Sequence, residues 1–91
     1  MNYDVRLSTF AKEGLSKLKQ NEPKAFGKAG ALLHELGDHP KTGRGKPHMP
    51  SGDRQGQWSR RITGKHRMVY EILEEMKTVL VLSSYGHYDD K

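Results

Sequence analysis

Apolar and polar residues alternate over the first seven positions. Tyr3, Val5 and Leu7 fall on one side of an extended chain, and Asp4 and Arg6 fall on the other. A period of two predicts a half-buried strand over 2–7. The period then lengthens. Ala11, Leu15 and Leu18 recur at helical spacing while Lys12, Glu13, Lys17 and Lys19 lie mostly off their stripe, so a helix capped by Ser8 runs to about Gln20. Gly14 inside it costs roughly 1 kcal/mol of helix propensity relative to Ala. Asn21-Glu22-Pro23 is a break and restart, with Asn21 as the expected cap and Pro23 in the first turn. The second helix presents Phe26, Ala29, Leu32, Leu33 and Leu36 on one face and stops at Gly37.

From Asp38 to Gln57 the pattern disappears. The stretch is rich in Gly, Pro, Lys and His and reads as a long loop with one short edge strand near Lys46–Met49. Two strand-like runs follow, Trp58–Ile62 and His66–Tyr70, the second continuing to about Leu73. Thr63-Gly64-Lys65 joins them, and Gly64 can take positive φ, so the pair predicts a hairpin. A three-residue Thr63–Lys65 loop sets Arg61 opposite Arg67 and Trp58 opposite Tyr70. A two-residue Gly64-Lys65 loop puts the two arginines on opposite faces. The three-residue register is the one expected here. Glu74–Lys77 reads as a turn. Thr78–Tyr85 reads as a strand, apolar on both faces over Val79–Leu82 and therefore central. The order β-α-α-β-β-β predicts one α+β domain over 1–91: a small antiparallel sheet with two N-terminal helices on one face and the other face left for function.

Charge sharpens the picture. The total is +5. Residues 41–70 carry eight Lys/Arg against Asp53 alone, a net of +7, which leaves −2 for the rest. Five cations crowd the hairpin: Arg60, Arg61, Lys65, Arg67 and, when protonated, His66. No acid lies between Trp58 and Tyr70. Like charges across a hairpin are destabilising, so the cluster points to an external polyanion, RNA foremost. The 91 residues contain no cysteine, which removes disulfide and thiolate chemistry. No apolar run reaches transmembrane length and the N-terminus has no signal-peptide pattern, so no membrane role and a cytoplasmic location are expected.

RNA can be cut without a cofactor when its 2′-OH attacks the adjacent phosphate. That requires a base, an acid and cations on the developing charge. Of the five histidines, His34 and His39 read as surface residues and His66 as a structural or phosphate-contact residue. His48, in the basic loop, and His87, beyond the last strand, are the acid/base candidates. Arg67 is the leading electrophile, because a guanidinium grips two phosphate oxygens at once, and Arg61 is the second. A structural ion pair of Arg67 with Glu71, Glu74 or Glu75 is the competing fate. Arg60 points to the helix side or the sheet edge, yet is counted with Arg44, Lys46 and Lys65 as a source of backbone affinity. Trp58 and Tyr70 are either core residues or stacking platforms for bases. Tyr88 is placed to stack on a base or to position His87. The histidine spacings match no metal-ligand motif, and there is no P-loop, GxGxxG or nucleophile elbow, so no metal and no cofactor are expected.

These residues together resemble a known family. Gly43-Arg44-Gly45-Lys46-Pro47, Trp58-Ser59-Arg60-Arg61-Ile62-Thr63, His66-Arg67-Met68-Val69-Tyr70 and His87-Tyr88 look like the YoeB/Txe toxins of the RelE-type toxin–antitoxin superfamily. The resemblance implies a RelE-like fold and a ribosome-dependent, metal-independent mRNA endonuclease acting in the decoding site. It also implies inhibition by a YefM/Axe-type antitoxin, a homodimer, and operator DNA reached only through the antitoxin. It carries the transition-state arginine to Arg67, the second arginine to Arg61, the general acid to His87 and the final tyrosine to Tyr88. The family's general base, a glutamate after GKP, falls on His48. Either His48 takes over as base, which is the reading favoured here, or it only contacts phosphate and activity is weak. The alternative for the whole chain is a non-cleaving ribosome- or RNA-binding module, or an antitoxin-bound repressor subunit of the same fold.

Overall fold

The computed structural model of the chain describes residues 3–41 and 57–86. Among the described residues six elements follow the expected order: β1 (Asp4–Leu7), α1 (Thr9–Asn21), α2 (Pro23–Leu36), β2 (Gln57–Arg61), β3 (Arg67–Leu73) and β4 (Thr78–Ser83), with a 3-10 turn at Glu74–Met76. The strands form one sheet in the order β1-β4-β3-β2, so β4 is central as its two apolar faces require. The sheet is mixed rather than antiparallel throughout. β1 runs parallel to β4, while the β2–β3 and β3–β4 pairs are antiparallel. The helical hairpin between β1 and the later strands supplies the crossover that a parallel pair needs.

Ser8 caps α1 as predicted. Its Oγ accepts from the Ala11 N–H at 3.0 Å and donates to the Leu82 carbonyl at 3.0 Å, tying the helix start to β4. Asn21 is not the second cap. It ends α1, and Glu22 serves as the hinge between the helices without a side-chain capping bond. Gly37 ends α2 in a right-handed conformation (φ −64°). Ala11, Leu18, Ala25, Ala29, Leu32 and Leu36 bury the inner faces of the helices against Ile62, Met68, Tyr70, Val79 and Val81. Tyr3, Val5 and Leu7 pack at the margin of this core, as their alternation predicts.

Gly14 shows why a helix-weakening residue stands mid-helix. A Cβ there would lie 2.7 Å from Ser84 Oγ and 3.0 Å from Tyr85 Cβ. The segment leaving β4 therefore crosses α1 at contact, and Ser84 Oγ donates to the Ala11 carbonyl at 2.8 Å. Gly14→Ala should lose about 1–2 kcal/mol of stability in urea denaturation, because overpacking outweighs the propensity gain. Gly27→Ala on α2, where nothing lies within 4 Å, should instead gain up to about 1 kcal/mol.

Candidate RNA-cleavage site on the hairpin

The β2–β3 hairpin takes the three-residue register. Trp58 pairs with Tyr70, Ser59 with Val69 and Arg61 with Arg67. The turn closes on the His66 carbonyl, which accepts both Ile62 N–H (2.9 Å) and Thr63 N–H (3.1 Å). Thr63 Oγ1 accepts the Lys65 N–H at 3.1 Å. Gly64 does not use positive φ; among the described residues only Lys77 and Gly86 do.

Strand alternation then sorts the cations. Ser59, Arg61 and Arg67 share the face away from the helices, and Arg67 donates from Nη2 to Ser59 Oγ at 3.2 Å. Arg61 is exposed and Arg67 half-buried. Among the described residues no carboxylate pairs with either. Glu74, one of the acids expected to compete for Arg67, instead accepts from Tyr3 Oη at 2.9 Å and pairs with Lys41 at 3.0 Å. Those two bonds hold its carboxyl below the usual range. Two guanidinium groups directly opposite, with no described acid between them, leave a concentrated positive spot.

Arg60 is a correction. It is fully buried on the helix side, so it cannot supply RNA backbone affinity. Its Nη1 pairs with Glu35 Oε1 at 2.8 Å, its Nε donates to Tyr70 Oη at 3.1 Å and its Nη2 donates to the His39 carbonyl. Tyr70 is a core residue whose hydroxyl donates to the Pro40 carbonyl at 2.6 Å. Burial pushes its phenol pKa up, so it remains a donor. Trp58 packs half-buried against this core, opposite Tyr70. Lys65 stays exposed on the turn, 4.0 Å from Glu22. His66 is buried, its Nε2 2.8 Å from Glu22 Oε2. His34 and His39 are exposed, as expected. Arg44, Lys46, His48, His87 and Tyr88, and the edge strand expected near Lys46–Met49, lie outside the described residues.

The chain returns to the arginine pair at its far end. Gly86, the residue before His87, accepts the Arg67 N–H at 3.1 Å through its carbonyl. Sequence reasoning missed Glu22, Glu35 and Ser59 as partners of the hairpin cations. The one available signal for Glu35 was an acid sitting directly before Leu36, the last apolar residue of α2. Among the described residues no group of three or more His, Cys, Asp or Glu is arranged to hold a metal ion, and no helix is long and apolar enough to cross a membrane.

Comparison with known proteins places this geometry. A family model for the YoeB-like toxin of bacterial type II toxin–antitoxin systems matches residues 9–88. Toxin YoeB of Synechocystis sp. is 34% identical over 70 residues, covering 77% of this chain and 79% of that protein. The YoeB/ParE toxin from Agrobacterium tumefaciens superposes with a TM-score of 0.85 at 27% identity, over 93% of this chain and 99% of that one. YoeB from Staphylococcus aureus, solved as a dimer, gives a TM-score of 0.81 at 28% identity over 97% of this chain and 100% of that one. The same toxin solved as a YoeB–YefM complex gives 0.78. Fold and sequence together define a toxin of the type II toxin–antitoxin class. Within that class the chain belongs to the YoeB-like toxin family, as the WSRRIT and HRMVY segments suggested.

The buried pair and the exposed pair should separate on mutation. Arg60→Ala should cost about 3–5 kcal/mol in urea denaturation, because Glu35 and Tyr70 lose a buried partner. Arg61→Ala should fall within about 0.5 kcal/mol of the parent or stabilise it. The hydrogen bond from His66, ahead of any charge effect, lowers the Glu22 pKa below its ordinary value. Its contribution is therefore present above the unfolded carboxylate range and lost as pH falls through the lowered value. The gap in urea midpoint between the parent and Glu22→Gln should close on acidification.

Proposed function

We infer that this toxin is a ribosome-dependent mRNA endonuclease that cleaves with side chains and the RNA's own 2′-oxygen. The observation that carries this is the Arg61–Arg67 pair on the face away from the helices, with the segment leading to His87 bonded to Arg67 through Gly86. The phosphate sits at the two guanidinium groups. The 2′-OH loses its proton to His48 and its oxygen attacks phosphorus. Arg67 and Arg61 stabilise the extra charge of the five-coordinate state. The P–O5′ bond breaks, His87 protonates the leaving oxygen, and a 2′,3′-cyclic phosphate and a 5′-OH result. Tyr88 orients a base. Lys65, with Arg44 and Lys46, adds salt-dependent backbone attraction.

The partners follow from the same family. S. aureus YoeB is known both as a dimer and in complex with YefM. A homodimer, and inhibition by a YefM/Axe-type antitoxin through which operator DNA is reached, are the corresponding expectations for this chain. A ribosomal target places it in the cytoplasm.

The test is cleavage of a translated mRNA on ribosomes, with mapping of the cut ends. Arg67→Ala should slow cutting about 100- to 1,000-fold, the typical loss of one transition-state charge donor. His48→Ala should slow it strongly and His48→Glu should retain it. If His48→Ala cuts at the parent rate, His48 is not the base. A translation block that leaves the message intact would overturn the nuclease reading.

A further inference from the structure

His66 is the buried titratable group that the cleavage scheme leaves without a task. It lies at 4% exposure where three parts of the fold meet: the hairpin turn, the Glu22 hinge and the segment after β4. Its two ring nitrogens have distinct partners. Nδ1 accepts the Gly86 N–H at 2.8 Å, and Nε2 lies 2.8 Å from Glu22 Oε2. A backbone N–H can only donate, so Nδ1 carries no proton. Nε2 then carries it and donates to the Glu22 carboxylate. Glu22 thus fixes the tautomer that leaves Nδ1 free to receive the tail.

Gly86 is gripped on both sides. Its N–H is held by His66 and its carbonyl by the Arg67 N–H, while φ of +79° turns the chain in a way that favours glycine. The Tyr85 ring lies 4.6 Å from the imidazole centroid, and Lys17 Nζ sits 5.2 Å from the Tyr85 centroid on the α1 side. The contact of Gly14 with Ser84 completes the anchor. The next two residues are His87 and Tyr88.

We propose that His66 is a positioning residue: its unprotonated Nδ1, oriented by Glu22, docks Gly86 and so aims the segment carrying the general acid at the arginine pair. The docking stands on the observed bonds; its catalytic consequence rests on the endonuclease reading above. A misplaced acid costs rate rather than binding, since orientation alone can be worth about 100-fold.

Two near-isosteric variants test this. In His66→Asn the amide oxygen replaces Nδ1, and in His66→Gln the amide replaces Nε2. Asn should keep the Gly86 amide protected from hydrogen exchange and keep cleavage near the parent rate. Gln, though folded, should expose that amide and slow single-turnover cleavage about 100-fold with ribosome affinity unchanged. A Gln variant with a protected Gly86 amide and parental cleavage would overturn the proposal. Should both variants fail to fold, long-range nitrogen–proton correlation on the parent decides, and a proton on Nδ1 would overturn it. If the parent itself does not cut RNA, the nuclease reading fails, and Gly86 exchange alone judges the docking.

Discussion

One step of register in the β2–β3 hairpin decides which face of the sheet each of its strand arginines takes. Successive strand residues point to opposite faces, so Trp58, Arg60 and Ile62 turn toward the helices while Ser59 and Arg61 turn away. A shift by one residue would bury Arg61 and expose Arg60, stripping Glu35 of its partner and facing a core with an unmatched charge. The register is held at both ends. At the turn, the His66 carbonyl accepts two N–H groups. Inside, the Arg60 guanidinium fits only where Glu35, Tyr70 and the His39 carbonyl converge. A buried ion pair is weak evidence for stability by itself. Here it acts as a registry pin, making the alternative hairpin costly.

The same logic links the core to the far end of the chain. Few apolar residues are available, and the helices must also hold a segment that is not a strand. Gly14 provides the clearance, the Ala11 carbonyl receives Ser84, and His66 receives Gly86. The Ser84 bond is buried and the Gly86 bond partly so, which makes both costly to leave unmade. The face away from the helices thus inherits its geometry from interactions on the helix side.

Much of this was legible in the residues. The alternation of Tyr3, Val5 and Leu7, the two helical stripes and the doubly apolar Val79–Leu82 run each have one good solution, and the chain takes it. The parallel pairing of β1 was not legible, because an edge strand's direction depends on how the chain between is routed. The cation count misled for a related reason. Five charges without a local acid suggested five groups facing a ligand, but Glu22 and Glu35 reach Arg60's strand and the hairpin turn from the helices. Sequence distance hid those partners: Glu35 is 25 residues from Arg60 and Glu22 is 44 from His66. Arg61 and Arg67 survived as candidates because their face is the one the helices do not cover.

The pairing of β1 with β4 has a consequence for how such a molecule comes into being. Asp4 and Thr78 are register partners, so the first strand has no sheet neighbour until the strand beginning at Thr78 has emerged. Contacts between such distant stretches are slow to form, since a long loop must close before any of them helps. The centre of the sheet is its youngest strand. A nascent chain that has not yet released β4 therefore lacks the scaffold on which the two arginines are arrayed.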